Sequence, residues 1–159
     1  MTQTETTTKM ILDRWNASIK NFDLLLNALN DETLEKEIVQ GKNRGIYLLG
    51  HLIAVHDDML VLLDMGEKLF PELFEPFIKS ADKAIAQLPS VSELRIIWTK
   101  QCKVMEQKFN SLKAEEWFEK HTAVSAEDFA NEPHRNKLNI IITRTSHLQY
   151  HMGQMQLLK

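Results

Sequence analysis

Six histidines are the residues with most chemistry to offer: His51, His56, His121, His134, His147 and His151. His147 and His151 stand four apart in His147-Leu148-Gln149-Tyr150-His151. On an α-helix that spacing sets both rings on one face, about 40° and about 6 Å apart, so two imidazoles can converge on one metal ion. Helical zinc protease motifs pair histidines the same way, although the catalytic Glu between them is absent here. Six histidines scattered at random give about 0.2 pairs at this spacing, so placement weighs more than the match itself. Both lie among apolar residues of the last periodic segment. His51 lies in the most apolar segment, where an unpartnered ring would be costly. The competing reading is a set of core histidines satisfied by hydrogen bonds. His56 follows His51 by five residues, about 140° round a helix, and reads as a surface or interface residue. His121 and His134 fall in irregular segments, with no partner at ligand spacing.

The elements that must position these rings are helices. Met10, Ile11, Trp15, Ile19, Phe22, Leu25, Leu26 and Leu29 recur at three- and four-residue steps, which predicts a helix over about 8–30. The charged stretch 30–43 reads as a connection with one helical turn. A second helix over about 43–65 is apolar nearly all round and should be the most buried. Gly45 and Gly50 within it suggest close approach by a neighbour, and Gly66 supplies its stop. Residues 66–89 carry Pro71, Pro76 and Pro89 and form a connection longer than adjacent antiparallel helices need. Ser90 and Glu93 form a capping box that opens a third helix over about 90–112. After an irregular stretch at about 114–135, Asn136 caps a last helix over about 137–158. His51 lies about 12 Å into its helix and the His147/His151 midpoint about 14 Å from the end of its own, so the depths match if these two helices run antiparallel. The fold class is all-α, a four-helix bundle with two long connections. Residues 1–7 are Thr-rich, lack apolar periodicity and read as a frayed or disordered tail, leaving 8–159 as one domain.

Composition narrows the function classes. With 159 residues the chain suits a single domain. Nineteen Lys and Arg against 22 Asp and Glu give a net charge of −3, which disfavours a nucleic-acid-binding surface. Five glycines and four prolines are roughly half the usual share of about 12%, favouring long helices over strands joined by turns. Cys102 is alone, which excludes an internal disulfide and a cysteine-based zinc knuckle. No apolar run reaches the roughly 18 residues of a membrane span, and the polar N-terminus has no secretory apolar segment. A cytoplasmic protein with no membrane and no nucleic-acid partner is expected.

Two motifs then carry a resemblance: Leu48-Leu49-Gly50-His51-Leu52 and His147-x-x-x-His151-Met152-Gly153-Gln154. In these, and in segment lengths from about residue 8 to 158, the sequence resembles the DinB-like (YfiT-type) superfamily of small metalloenzymes. The resemblance implies a right-handed up-down-down-up bundle and a three-histidine metal site, carried here by His51, His147 and His151. Zinc or nickel is the occupant it implies; imidazole ligation by itself suits Zn, Ni, Cu or Fe. Three protein ligands leave a position for water or substrate. Some members of that superfamily are S-transferases or isomerases that use a low-molecular-weight thiol, and many have no assigned activity.

Three neighbours are candidates for binding cofactor or substrate. Gln154 follows His151 by three, Arg144 precedes His147 by three, and Tyr47 precedes His51 by four on the same face. Gln154 would hold water or substrate, Arg144 an anionic group, and Tyr47 would donate a hydrogen bond. Their competing readings are a bundle-end polar contact, a salt-bridge partner and a core residue. Asp58 lies about 10 Å along the axis from His51, too far to orient that ring, and reads as pocket wall or solvated. The leading function is a metal-dependent enzyme acting on a small molecule, either a thiol-dependent S-transferase or a hydrolase. The alternative is a non-catalytic metal-binding or partner-binding bundle. A homodimer is the expected assembly, the commonest symmetric state.

Overall fold

The computed structural model describes residues 1–159 and is all-helical, with no strand. Four long helices carry the fold: α1 (Gln3–Ala28), α3 (Gly45–Leu62), α4 (Val91–Ser111) and α6 (Lys137–Met155). Short α2 (Asp31–Leu34) and α5 (Ala126–Asn131) lie in the connections. The expected boundaries hold to within three residues at most ends, and the expected turn in 30–43 is α2. The N-terminus is the exception. Residues 1–7, read from composition as a frayed or disordered tail, are helical from Gln3 because Thr2 and Glu5 form a capping box. The Thr2 hydroxyl accepts the Glu5 amide at 3.1 Å, and the Glu5 carboxylate accepts the Thr2 amide at 2.6 Å. Composition alone missed this because a cap satisfies backbone donors without any apolar residue.

Ser90 and Glu93 form the expected box at the start of α4, and Asn136 accepts the Asn139 amide at the start of α6. Helix α3 has no side-chain cap of its own. Instead Asp82, from the long connection, accepts the Arg44 amide at 2.7 Å and grips its guanidinium at 2.8 Å. This places a carboxylate at the positive end of the helix, where the macrodipole favours it.

Helix α3 is the core helix. Its 18 residues have a hydropathy of 1.4, long and apolar enough by composition to cross a bilayer, yet 78% of it is buried inside the fold. The expectation that no apolar stretch reaches membrane length is therefore corrected, and burial by α4, α6 and the long connection accounts for the apolarity. That connection is folded down onto α3. A 3-10 turn (Pro71–Leu73) and a π-turn (Glu75–Lys79) drop Phe77 against Gly50, leaving so little room that a Cβ there would meet the ring at 2.3 Å. Burying Phe77 completely contributes about 2–3 kcal/mol. Buried Asp57 accepts the Leu69 and Phe70 amides at 3.0 and 2.7 Å, fixing the start of the same segment.

Helices α3 and α6 run in opposite directions. At one end Leu158 packs on Gly45 so closely that a Cβ would stand 2.8 Å from it. At the other, the Thr122 amide donates to the Leu62 carbonyl at 3.0 Å, and the Lys137 amide to that of Glu119 at 2.9 Å.

Candidate metal centre

Helix α3 contributes His51 and helix α6 contributes His147 and His151, and the antiparallel packing brings the three together. Their ligand atoms all lie within 4.8 Å of one another, and they could hold a metal ion. His147 Nε2 is 3.3 Å from His51 Nε2 and 3.0 Å from His151 Nε2. A tetrahedral ion with Zn–N bonds of about 2.0–2.1 Å holds its nitrogens about 3.3–3.4 Å apart, so the spacing fits with small adjustments.

The second nitrogen of two rings is already fixed. His51 Nδ1 lies 2.8 Å from the Phe77 carbonyl, which can only accept, so Nδ1 carries the proton. His151 Nδ1 lies 2.7 Å from Gln154 Oε1, which sets the same tautomer. Both Nε2 atoms are thus lone pairs aimed at a common point. This is the arrangement by which outer hydrogen bonds orient metal-ligating imidazoles. If His147 adopts the same tautomer, three lone pairs face one another and only a cation relieves their repulsion. Burial pushes the His147 imidazole down to about 4, helped by His151 and His51, and lowers His151 as well. Near neutral pH both rings are therefore unprotonated, the state a metal requires.

The three candidate binding residues separate. Gln154 serves His151 directly, and its amide nitrogen reaches the Tyr150 hydroxyl at 3.3 Å. Tyr47 stacks its ring nearly parallel to His51 at 6.3 Å, but its hydroxyl donates to the Ser80 carbonyl at 2.7 Å. It therefore steadies the His51 ring and the long connection instead of pointing at the centre. Arg144 is half-buried on the ligand side of α6, and its Nε has no partner. Burial lowers its pKa, opposed by the field of Asp58. Asp58 itself is paired with Lys68 at 2.6 Å.

His56 corrects its sequence reading. It is not at the surface but fully buried, with rings of Trp15 at 5.0 Å and Trp98 at 5.4 Å. Neither of its ring nitrogens has a partner. Burial, then the charges of His147, Arg144 and His51, push it down to about 3, so it is neutral. Turning away from His51 did not mean turning to solvent, because α1 and α4 cover that side of α3. Phe77, whose carbonyl holds His51, was missed altogether. The only signal pointing to it was Gly50, whose missing side chain the sequence did read as a close approach. His134 is exposed and His121 lies in the 119–122 segment beside the far end of α3.

Compared with known proteins, the chain matches no protein-family model and no curated protein.

Proposed function

We propose that the protein is a metal-dependent enzyme of the DinB-like type, with His51, His147 and His151 as the ligands of one divalent transition ion, zinc or nickel. The observation that carries this reading is the convergence of three Nε2 atoms with two of the opposite nitrogens held by Phe77 and Gln154. Bound there, the ion would supply Lewis acidity, stabilising a thiolate or lowering the pKa of water towards about 7. Three ligands would leave room for such a group, which suits a thiol-dependent S-transferase or a hydrolase acting on a small molecule. The chain's own part is to hold two tautomers, keep the imidazoles unprotonated and offer the Arg144 guanidinium beside them.

The wider reading is an up-down-down-up four-helix bundle, working as a cytoplasmic homodimer. The opposed directions of α3 and α6 support that helix order. So does the same-direction pairing of α3 with α4, where Gln101 meets Ile53 and Lys108 meets Met65.

One observation favours the alternative, a metal-binding bundle without catalysis. A cavity of about 600 Å³ lies between α1 and α4, away from the three histidines. Metal analysis of the purified protein, followed by assays of thiol conjugation and ester hydrolysis before and after chelation, separates the readings. One equivalent of metal with a chelator-sensitive activity supports the enzyme. Stoichiometric metal that raises only the melting temperature supports the alternative, and no metal uptake rejects both.

A further inference from the structure

Helices α1 and α6 run in the same direction. Met10 and Ile11 line one groove with Ile142, and seven residues further along each helix Gln149 donates to the Ser18 hydroxyl at 3.0 Å. Their exposed surfaces therefore form one continuous two-helix face. Helical spacing gives α1 an exposed stripe of Met10, Arg14, Ala17, Asn21, Leu24 and Ala28. On α6 and its terminal turn the matching stripe is Ile142, Ser146, Gln149, Gly153 and Leu157.

Met10, Leu24, Ile142 and Leu157 are between 46% and 66% exposed, and Arg14 is the one charge on either stripe. Helix α4, by contrast, turns Glu93, Lys100, Lys103 and Glu106 to solvent, as a solvated helix does. Large apolar side chains exposed together on a nearly uncharged face mark a contact with another protein surface.

Symmetry names the occupant. Met10 and Leu24 lie seven residues either side of Ala17, and Ile142 and Leu157 are centred between Gln149 and Tyr150. The Ser18–Gln149 hydrogen bond puts those two centres at one level, within about 2 Å. A two-fold axis crossing both helices there sets α1 antiparallel on α1 of a second copy, and α6 on its α6. Met10 of one copy then meets Leu24 of the other, and Ile142 meets Leu157. Leu24 of the second copy covers the groove of about 470 Å³ bordered by Met10, Arg14, Ile142 and Ser146. Arg14 comes opposite Asn21, a neutral amide, so no like charges face each other. At the axis Ala17 carries a single methyl, which lets the two backbones approach.

The size of the face agrees. Met10 to Ala28 spans about 27 Å, and two packed helices present about 20 Å of width. Two such faces bury about 1,000 Å² together, which reaches the area a specific interface needs.

We propose that the α1/α6 face is the contact between two copies of this chain, with α1 antiparallel to α1 across a two-fold axis near Ala17. This rests on the homodimer reading and deepens it by naming the face; it draws nothing from the metal centre.

Sedimentation of the full chain at micromolar concentration should give twice the 18.5 kDa of one copy. Leu24→Lys should raise the dimer Kd at least about 100-fold, because each change enters the interface twice. Ile96→Lys, on the exposed side of α4, should leave it within a factor of about two. Adding Met10→Glu to Leu24→Lys should bring the Kd back to within about tenfold of wild type, since the new charges face each other across the axis. Circular dichroism checks that each variant keeps its helices, and Ile142→Lys carries the same test should Leu24→Lys lose them. A wild type that stays monomeric overturns the homodimer and the face together. A dimer that tolerates both Leu24→Lys and Ile142→Lys overturns the face and leaves the homodimer standing. A dimer broken by Leu24→Lys and not restored by Met10→Glu overturns the antiparallel arrangement. A monomer that floats with phosphatidylcholine vesicles, and loses them on Leu24→Lys, assigns the face to a membrane surface and overturns the second copy.

Discussion

The seam between α3 and α6 and the seam between α1 and α4 differ in what their polar groups lack. The α1/α4 seam holds a cavity of about 600 Å³, lined by Lys20, Asp23, Lys103 and Glu106, with Trp15 and Trp98. Key polar groups there are served. Trp98 Nε1 donates to Asp23 at 2.7 Å, and Arg95 is bound by Asp31 and the carbonyls of Leu26 and Leu29. Its Cys102 thiol is pushed up by burial, and then by Asp23 and Glu106, so it stays protonated and unreactive. The α3/α6 seam instead carries the converging ligand atoms of His51, His147 and His151, with buried, unpartnered nitrogens on His147 and Arg144. Volume marks where atoms are missing; unsatisfied donors and acceptors mark where chemistry is missing. The second criterion selects the histidine seam.

The contrast is most easily broken at the ligands. His147→Ala or His151→Ala should lower zinc affinity by more than about 100-fold in a chelator-competition titration. Cys102→Ala, in the other seam, should leave it within a factor of about two. Comparable losses on both sides would mean that the seams are not chemically distinct.

Next in size is Gly50→Ala. Its new Cβ would meet the Phe77 ring at 2.3 Å, costing about 1–3 kcal/mol in urea unfolding. Because the Phe77 carbonyl holds His51, zinc affinity should fall with stability. Gly153→Ala is the counterpart: with nothing within 4 Å of its Cβ position, it should gain up to about 1 kcal/mol. A harmless Gly50→Ala would show that Phe77 does not position His51.

Gln154→Ala removes the partner of His151 Nδ1 and should weaken zinc binding about 10- to 100-fold, the usual cost of losing an outer partner. Gln154→Glu should recover most of that loss, since a carboxylate accepts the same proton. Failure of the rescue would leave Gln154 as a bundle-end contact only.

The smallest effect is the pH response of the metal-free protein. His147 and His56 are pushed down to about 4 and about 3 in the folded chain, against ordinary imidazoles at 6.5. The unfolded chain therefore takes up protons first, and stability is complete above pH 6.5 and declines as pH falls towards 4. Melting curves from pH 7.5 to 4.5 should show a falling midpoint, with a shallower fall in His147→Gln. A midpoint that stays level over this range would place these rings in a better-solvated environment.

Much of the site was legible because its key spacing is local. His147 and His151 face one way on any helix, whatever surrounds it, and Gly50 beside His51 announced a close neighbour without naming it. The apolar density of 43–65 marked α3 as the core helix for the same reason. Phe77 could not be found that way, since it lies 26 residues beyond His51 and its carbonyl reaches that ring only after the intervening chain folds back. His56 was misplaced because helical angle gives direction relative to His51 but not what lies in that direction. The tail at 1–7 was misjudged because apolar periodicity is blind to a cap made by Thr2 and Glu5.

By itself, then, the sequence determined the helices, their apolar faces and the two rings that share one face, since these follow from the 3.6-residue period and local capping. The resemblance named His51 as the third ring; only the tertiary structure decided that it meets the pair, which carbonyl sets its tautomer, and that His56 lies buried and unpartnered against Trp15 and Trp98. Those relations join residues far apart in the chain, and they exist only once α3 and α6 pack antiparallel and the long connection is pressed into the notch at Gly50.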